Sequence, residues 1–188
     1  YGAIRLVTQN GIPVNPMRML IVVLMICLVF PAQAQRPGYP PELPDARVEV
    51  YRSAGDIDLK AWIFEPAEQR EDDERPAIVF FFGGGWNGGS PGQFRAHAAH
   101  LAERGMVAVL VDYRVRSRQG TLANVAVSDA KAAIRWVRAN ADRMGVDPDR
   151  IAAAGGSAGG HLAAATATLA GHDDAQDGAS TNSGPNAL

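Results

Sequence analysis

Gly155-Gly156-Ser157-Ala158-Gly159 has the form G-x-S-x-G, and it lies between a short apolar run, Ile151-Ala152-Ala153-Ala154, and an Ala-rich stretch over residues 161–170. The first segment suits a buried parallel strand and the second a helix. A strand that passes into a helix through so few residues needs a sharp turn, and such a turn lifts the side chain at its apex clear of the backbone. Ser157 is therefore a candidate nucleophile. A serine hydroxyl is weak at neutral pH, so an enzyme that uses one must expose it beside a base and surround the developing oxyanion with donors. Flanking glycines fit because the turn leaves no room for Cβ atoms. A plainer reading of the same residues is a helix start capped by Ser157, with the glycines in an ordinary loop.

A second cluster favours the catalytic reading. The apolar run Pro76-Ala77-Ile78-Val79-Phe80-Phe81-Phe82 ends abruptly in Gly83-Gly84-Gly85-Trp86-Asn87-Gly88-Gly89-Ser90-Pro91. Consecutive glycines after a buried strand leave backbone N–H groups open to a ligand, as an oxyanion hole requires. A phosphate loop is the rival, but no Gly-Lys-Ser/Thr follows, and the G-x-G-x-x-G spacing is not met in a strand-turn-helix setting.

Further landmarks stand in a fixed order. Val111-Asp112-Tyr113-Arg114 follows the next strand-like segment, the run from Asp129 to Val137 is helical in pattern, and Gly145-Val146-Asp147-Pro148-Asp149-Arg150-Ile151 leads into the serine turn. In this combination the chain, from about Val48 to Leu188, resembles the α/β-hydrolase superfamily, in its esterase and lipase branch related to hormone-sensitive lipase and to acetyl- and feruloyl-esterase-like carbohydrate esterases. The resemblance implies that Ser157 is the nucleophile and that Gly84, Gly85 and Ala158 are the oxyanion donors. Phe82 stands where that family usually has a histidine that shapes the glycine loop. Backbone donors survive such a change, so loop geometry is what it puts in question.

The resemblance also implies a triad acid and then a histidine after the serine in chain order. Only residues 158–188 follow Ser157 here. His161 belongs to the nucleophile helix, and His172 precedes Asp173, Asp174 and Asp177, the wrong order. His97 and His100 fall on the helix after the glycine loop, where packing or exposure is the ordinary role. Asp112 and Asp129 precede the serine and are assigned to structure. The expectation is an N-terminal fragment of a longer product, with acid and base beyond Leu188 and Pro185-Asn186-Ala187-Leu188 leading into another strand.

The other end has its own pattern. Residues 1–16 lack periodicity and read as upstream sequence, and Arg18, the apolar stretch Leu20 to Phe30 and Pro31-Ala32-Gln33-Ala34 follow in the order of a secretory signal peptide over 17–34. Cleavage after Ala34 would remove Cys27, the only cysteine, and leave a secreted or periplasmic product without stable membrane insertion. The segment 35–45 is Pro-rich and reads as an extended linker, so the hydrolase part spans 46–188.

Within that part, alternation over 47–52 and 59–64 predicts an opening hairpin. Strands and helices then alternate: the Phe80 strand, a helix over 93–104, a strand over 106–111, a helix over 126–144 and the Ile151 strand. The fold class implied is α/β, a three-layer sandwich with a mostly parallel sheet, incomplete at the C-terminus. A net charge of −2 with scattered Lys and Arg gives no footprint for nucleic acid. Arg114, Arg116 and Arg118 cluster after Tyr113 and read as a solvated loop, with Arg114 as a possible brace. No zinc or calcium spacing occurs, and no cofactor is expected. The function implied is an exported serine carboxylic-ester hydrolase acting on a small-molecule or polysaccharide-linked ester. The alternatives are a serine peptidase like prolyl oligopeptidase, or a truncated product without catalysis.

Overall fold

Two strands of alternating character, β1 (Arg47–Ala54) and β2 (Ile57–Phe64), pair antiparallel as a hairpin. β3 (Arg75–Phe81), β4 (Val107–Val111) and β5 (Val146–Gly155) complete a sheet of order β1-β2-β4-β3-β5. β2 meets β4 antiparallel, whereas β3 lies parallel to both β4 and β5. The computed structural model describes residues 39–68, 73–173 and 181–188. Residues 1–16 and 17–34, expected to be an upstream segment and a signal peptide, lie outside the described residues.

Successive side chains of a strand point to opposite faces, and the core divides accordingly. Ala61, Ile63, Val79, Phe81, Val107, Val109 and Val111 belong to one buried cluster, while Trp62, Phe64, Phe80, Ala108 and Leu110 belong to a second. Helix α1 (Arg95–Ala102), entered through a 3-10 turn at Pro91–Phe94, covers the second face with Ala98 and Ala102. A single turn, α2 (Arg116–Gln119), precedes α3 (Ala123–Ala139), and α4 (Ala158–Thr168) follows β5. α3 and α4 cover the first face with Ala126, Ala130, Ile134, Val137 and Leu162. Phe81, Ile134 and Leu162 are fully buried, each side chain contributing about 1.5–3 kcal/mol. The result is the three-layer α/β architecture with helices on both faces of a mostly parallel sheet.

Boundaries shift at the helices. The helix expected over 126–144 begins at Ala123 and stops at Ala139, and a 3-10 turn at Asp142–Met144 follows, closed by Gly145. Its N-cap is Leu122, which offers no capping side chain, so no local residue announces the start.

Basic residues of α3 anchor the chain after α4. Lys131 Nζ donates to the carbonyls of Leu169 and Gly171 at 2.9 and 2.6 Å, and Arg135 Nε to that of Thr181 at 3.0 Å. Arg138 Nη2 reaches the Gly184 carbonyl at 3.0 Å. Beyond these, Ala187 forms a parallel bridge to Ala152, with Asn186 N–H donating to Ile151 O (2.7 Å) and Ala153 N–H to Ala187 O (2.9 Å). Residues 186–187 thus sit against the outer side of β5 in the manner of a strand.

Two segments differ from their sequence reading. The part of the Pro-rich stretch that is described packs on the domain: Leu43 is buried with Trp62 and Phe80, and Asp45 pairs with Arg95. Of the arginines read as a solvated loop, Arg114 and Arg118 turn inward onto buried carboxylates, with side chains only 17 % and 18 % exposed. Asp129 is fully buried and receives both Arg52 (2.8 Å) and Arg114 (2.7 Å), which ties β1, the β4 exit and α3 together. Removing one member of such a buried set costs about 3–5 kcal/mol. The structural assignment of Asp129 and the bracing role of Arg114 therefore share one contact.

Candidate active site

The site is built where β5 ends. Ser157 has φ +53° and ψ −117°, a region that side-chain-bearing residues rarely occupy. Strain of this kind persists only where surrounding packing enforces it. Here the enforcement is backbone against backbone. A Cβ on Gly155 would come within 2.6 Å of the Phe81 carbonyl, and one on Gly159 would overlap the carbonyls of Phe81 and Phe82. The turn is thus wedged onto the end of β3, and Ser157 is exposed at its apex. The serine makes no capping hydrogen bond to α4, so the plain helix-cap reading does not describe it. Ala158, as first residue of α4, has an N–H without an intrahelical acceptor.

The glycine loop leaves β3 beside this turn. A Cβ on Gly83 would sit 2.8 Å from the Gly156 carbonyl, so the two backbones are in contact. Gly83 N–H donates to Gln93 Oε1 at 2.6 Å, and Gly84 O accepts from Asn87 and Gly88 at 3.1 and 3.2 Å. Among the described residues no hydrogen bond occupies the N–H of Gly84 or Gly85. The loop is fastened from outside by Arg116 N–H to Trp86 O (2.9 Å), Ser117 N–H to Asn87 O (3.0 Å) and Arg118 Nη1 to Gly89 O (2.9 Å). At the position where a histidine was expected, Phe82 stacks on Tyr113 with ring centroids 4.0 Å apart, and Tyr113 Oη donates to Phe82 O at 2.6 Å. Burial holds the Tyr113 hydroxyl well above the ordinary tyrosine range, so it stays a donor.

Ser157 and Gly84 line one cavity of about 800 Å³, together with Gly83, Gly156, Asn87 and Gln93. Gly85 and Ala158 follow these lining residues directly in the chain. A cavity of this size suits a small organic ligand. Two further lining residues, Tyr39 and Arg118, were not read as site residues from the sequence, and Asp112 ties them together. Tyr39 Oη donates to Asp112 Oδ2 at 2.6 Å, Arg118 Nη2 pairs with Asp112 Oδ1 at 3.2 Å, and the Arg118 guanidinium lies 3.6 Å from the Tyr39 ring centroid. Burial pushes the Asp112 carboxyl up, opposed by the Tyr39 and Arg118 contacts, and Tyr39 is itself pushed up to about 12, chiefly by burial. Asp112 is structural, as assigned, but what it supports is a wall of the cavity.

None of the histidines lines that cavity. His161 gives its backbone N–H to Ser157 O (3.0 Å), and its ring meets Trp86 edge-on at 5.2 Å. His97 packs on Phe80 and Phe94, His100 contacts Arg104, and His172 is exposed after α4. Among the described residues, no group of three or more His, Cys, Asp or Glu could hold a metal ion. No described helix is long and apolar enough to cross a membrane.

A mostly parallel sheet covered on both faces, a strained serine between its edge strand and a helix, and a glycine loop against that turn define an α/β hydrolase of the esterase and lipase type. Comparison with known proteins agrees: the BD-FAE family model matches residues 63–186, and the chain belongs to this α/β-hydrolase esterase family. It is 38 % identical over 135 residues to the carboxylesterase NlhH of Mycobacterium tuberculosis, covering 70 % of this chain and 41 % of that protein. It is 43 % identical over 90 residues to the esterase LipC of the same organism, 47 % of this chain and 22 % of that one. Among solved structures, a thermophilic esterase of Thermogutta terrifontis, Est2, superimposes with a TM-score of 0.80 at 50 % identity, over 83 % of this chain and 56 % of that one. The chain therefore spans about two fifths of the carboxylesterase and just over half of the solved esterase.

Proposed function

We propose that this chain carries the nucleophile and oxyanion side of an exported serine carboxylic-ester hydrolase. The observation that carries the reading is the forced, positive-φ backbone of Ser157 at the edge of a cavity shared with Gly84. In the reaction, Ser157 Oγ attacks the ester carbonyl while a histidine accepts its proton. The carbonyl oxygen becomes an oxyanion held by the N–H groups of Gly84, Gly85 and Ala158. Collapse expels the alcohol, which takes the proton back from the histidine and leaves an acyl-enzyme. Water, deprotonated by the same histidine, then releases the acid and restores the serine. None of the histidines of this chain lines the cavity, so the proposal leaves the histidine and the carboxylate that orients it without a residue number.

Short acyl groups fit the reading. The Thermogutta terrifontis esterase has been solved with butyrate and with propionate bound, and also phosphorylated by paraoxon. Small acyl esters, free or carried on a polysaccharide, are the proposed substrates. Export through residues 17–34 is part of the proposal. It is supported by the order of charge, apolar core and Ala-x-Ala in that segment.

The test is turnover of 4-nitrophenyl acetate and butyrate by the full-length gene product. Hydrolysis that disappears in Ser157→Ala is expected. Cleavage of proline peptides in place of esters would contradict the reading. Amino-terminal sequencing of the exported protein should begin at Gln35, and an intact residue 17–34 segment would refute the export proposal.

A further inference from the structure

Tyr39 lines two hollows. It forms part of the 800 Å³ cavity that holds Ser157, and also part of a second hollow of about 490 Å³ lined by Pro40, Pro41, Glu42, Leu43, Gly92 and Arg95. The ring is held at its hydroxyl and at one face. Its hydroxyl donates to the buried Asp112 at 2.6 Å, and its face lies 3.6 Å from the Arg118 guanidinium. Arg118 is fixed in turn by Gly89 O at 2.9 Å and by Asp112 at 3.2 Å. A residue 41 % exposed and contributed by a Pro-rich segment is in this way tied to the cavity wall.

We propose that Tyr39 is a specificity-determining residue, its ring a partition that closes the catalytic cavity toward the second hollow and so limits the length of the ester substituent the site accepts. The proposal rests on the ester-hydrolase reading above. Two prolines and Leu43 give the second hollow an apolar lining for an alkyl group, beside the charged Glu42 and Arg95. If the partition is removed, each additional CH₂ that enters should multiply binding by about fourfold.

The experiment uses the full-length protein with Tyr39, Tyr39→Phe, Tyr39→Ala and Tyr39→Trp. Two readouts are taken: kcat/KM on 4-nitrophenyl butyrate and octanoate, and calorimetric binding of the inert 4-nitrophenyl butyl and octyl ethers. Tyr39→Ala should raise the octyl-to-butyl ratio at least about tenfold in both readouts. Tyr39→Trp should lower it, and Tyr39→Phe, which keeps the ring but loses its tie to Asp112, should raise it by less than Tyr39→Ala does. Opposite shifts from smaller and larger side chains are not a consequence of loosened folding. Equal ratios in all four proteins would overturn the partition. Absence of ester turnover in the parent would refute the hydrolase reading, while the ether titration would still decide the role of Tyr39.

Discussion

The two loops that meet at the cavity are both short and rich in glycine, yet they are held in different ways. The serine turn is fixed by main chain against main chain, with Gly155 and Gly159 pressed onto the carbonyls that end β3. The glycine loop has main-chain contacts as well, from Arg116 and Ser117 N–H and between Gly84 and Gly88, but it is held in addition by side chains reaching in from outside, namely Gln93, Tyr113 and Arg118. The contrast separates two tasks. The serine turn depends on positions that admit only hydrogen at Cα. The opposite wall has such positions too, at Gly84 and Gly89, but adds side chains that can be exchanged without touching the backbone contacts.

Substitutions on each side should break this contrast unequally. Ser157→Ala should cost the most, lowering ester turnover of the full-length protein by about 10⁵-fold or more with little change in melting temperature. A loss below tenfold would detach the turn from the chemistry. Gly159→Ala should come next, since its Cβ has nowhere to go; about 3 kcal/mol of stability should be lost in urea titrations, together with activity. Gly85→Ala meets no atom within 4 Å but keeps φ +62°, so only the left-handed strain of about 1–2 kcal/mol should appear. Equal costs at the two glycines would contradict the close approach of Gly159 to the end of β3. Tyr113→Phe, which orphans the Phe82 carbonyl, should cost about 1 kcal/mol and weaken turnover through the loop.

The smallest effect lies far from either loop. Arg135, with Lys131, holds the Asp173 carboxyl below its ordinary value of 3.8. A folded-state value that is lowered contributes stability above the unfolded value, and that contribution is lost as pH falls through the folded one. The stability gap between the parent and Asp173→Asn should therefore be present at pH 6 and fade below about pH 3.8. Because the carboxylate is 36 % exposed, salt should shrink the gap. A gap that grows on acidification would contradict the pairing.

Much of the serine turn was legible in the sequence because its determinants are local. The apolar run, the small-residue turn and the Ala-rich helix are contiguous, and period-two alternation in the strands already separates Val79 and Phe81 from Phe80. The opposite wall was not legible, because its contacts join distant residues. Tyr39 meets Asp112 across 73 positions, and proline content in that stretch predicts an extended backbone without saying where a ring will dock. Arg118 carries the same charge as its neighbours, and only the inward turn of Asp112 distinguishes it from a solvated side chain. The Phe82–Tyr113 stack likewise replaces an expected histidine through a partner 31 residues away.

The most direct test of the central claim is covalent capture of the nucleophile. Full-length protein would be treated with diethyl 4-nitrophenyl phosphate, and its peptides read by mass spectrometry. The account predicts release of one nitrophenolate per chain and a single diethylphosphoryl group on Ser157. An esterase-active protein labelled elsewhere, with Ser157 unmodified, would contradict it.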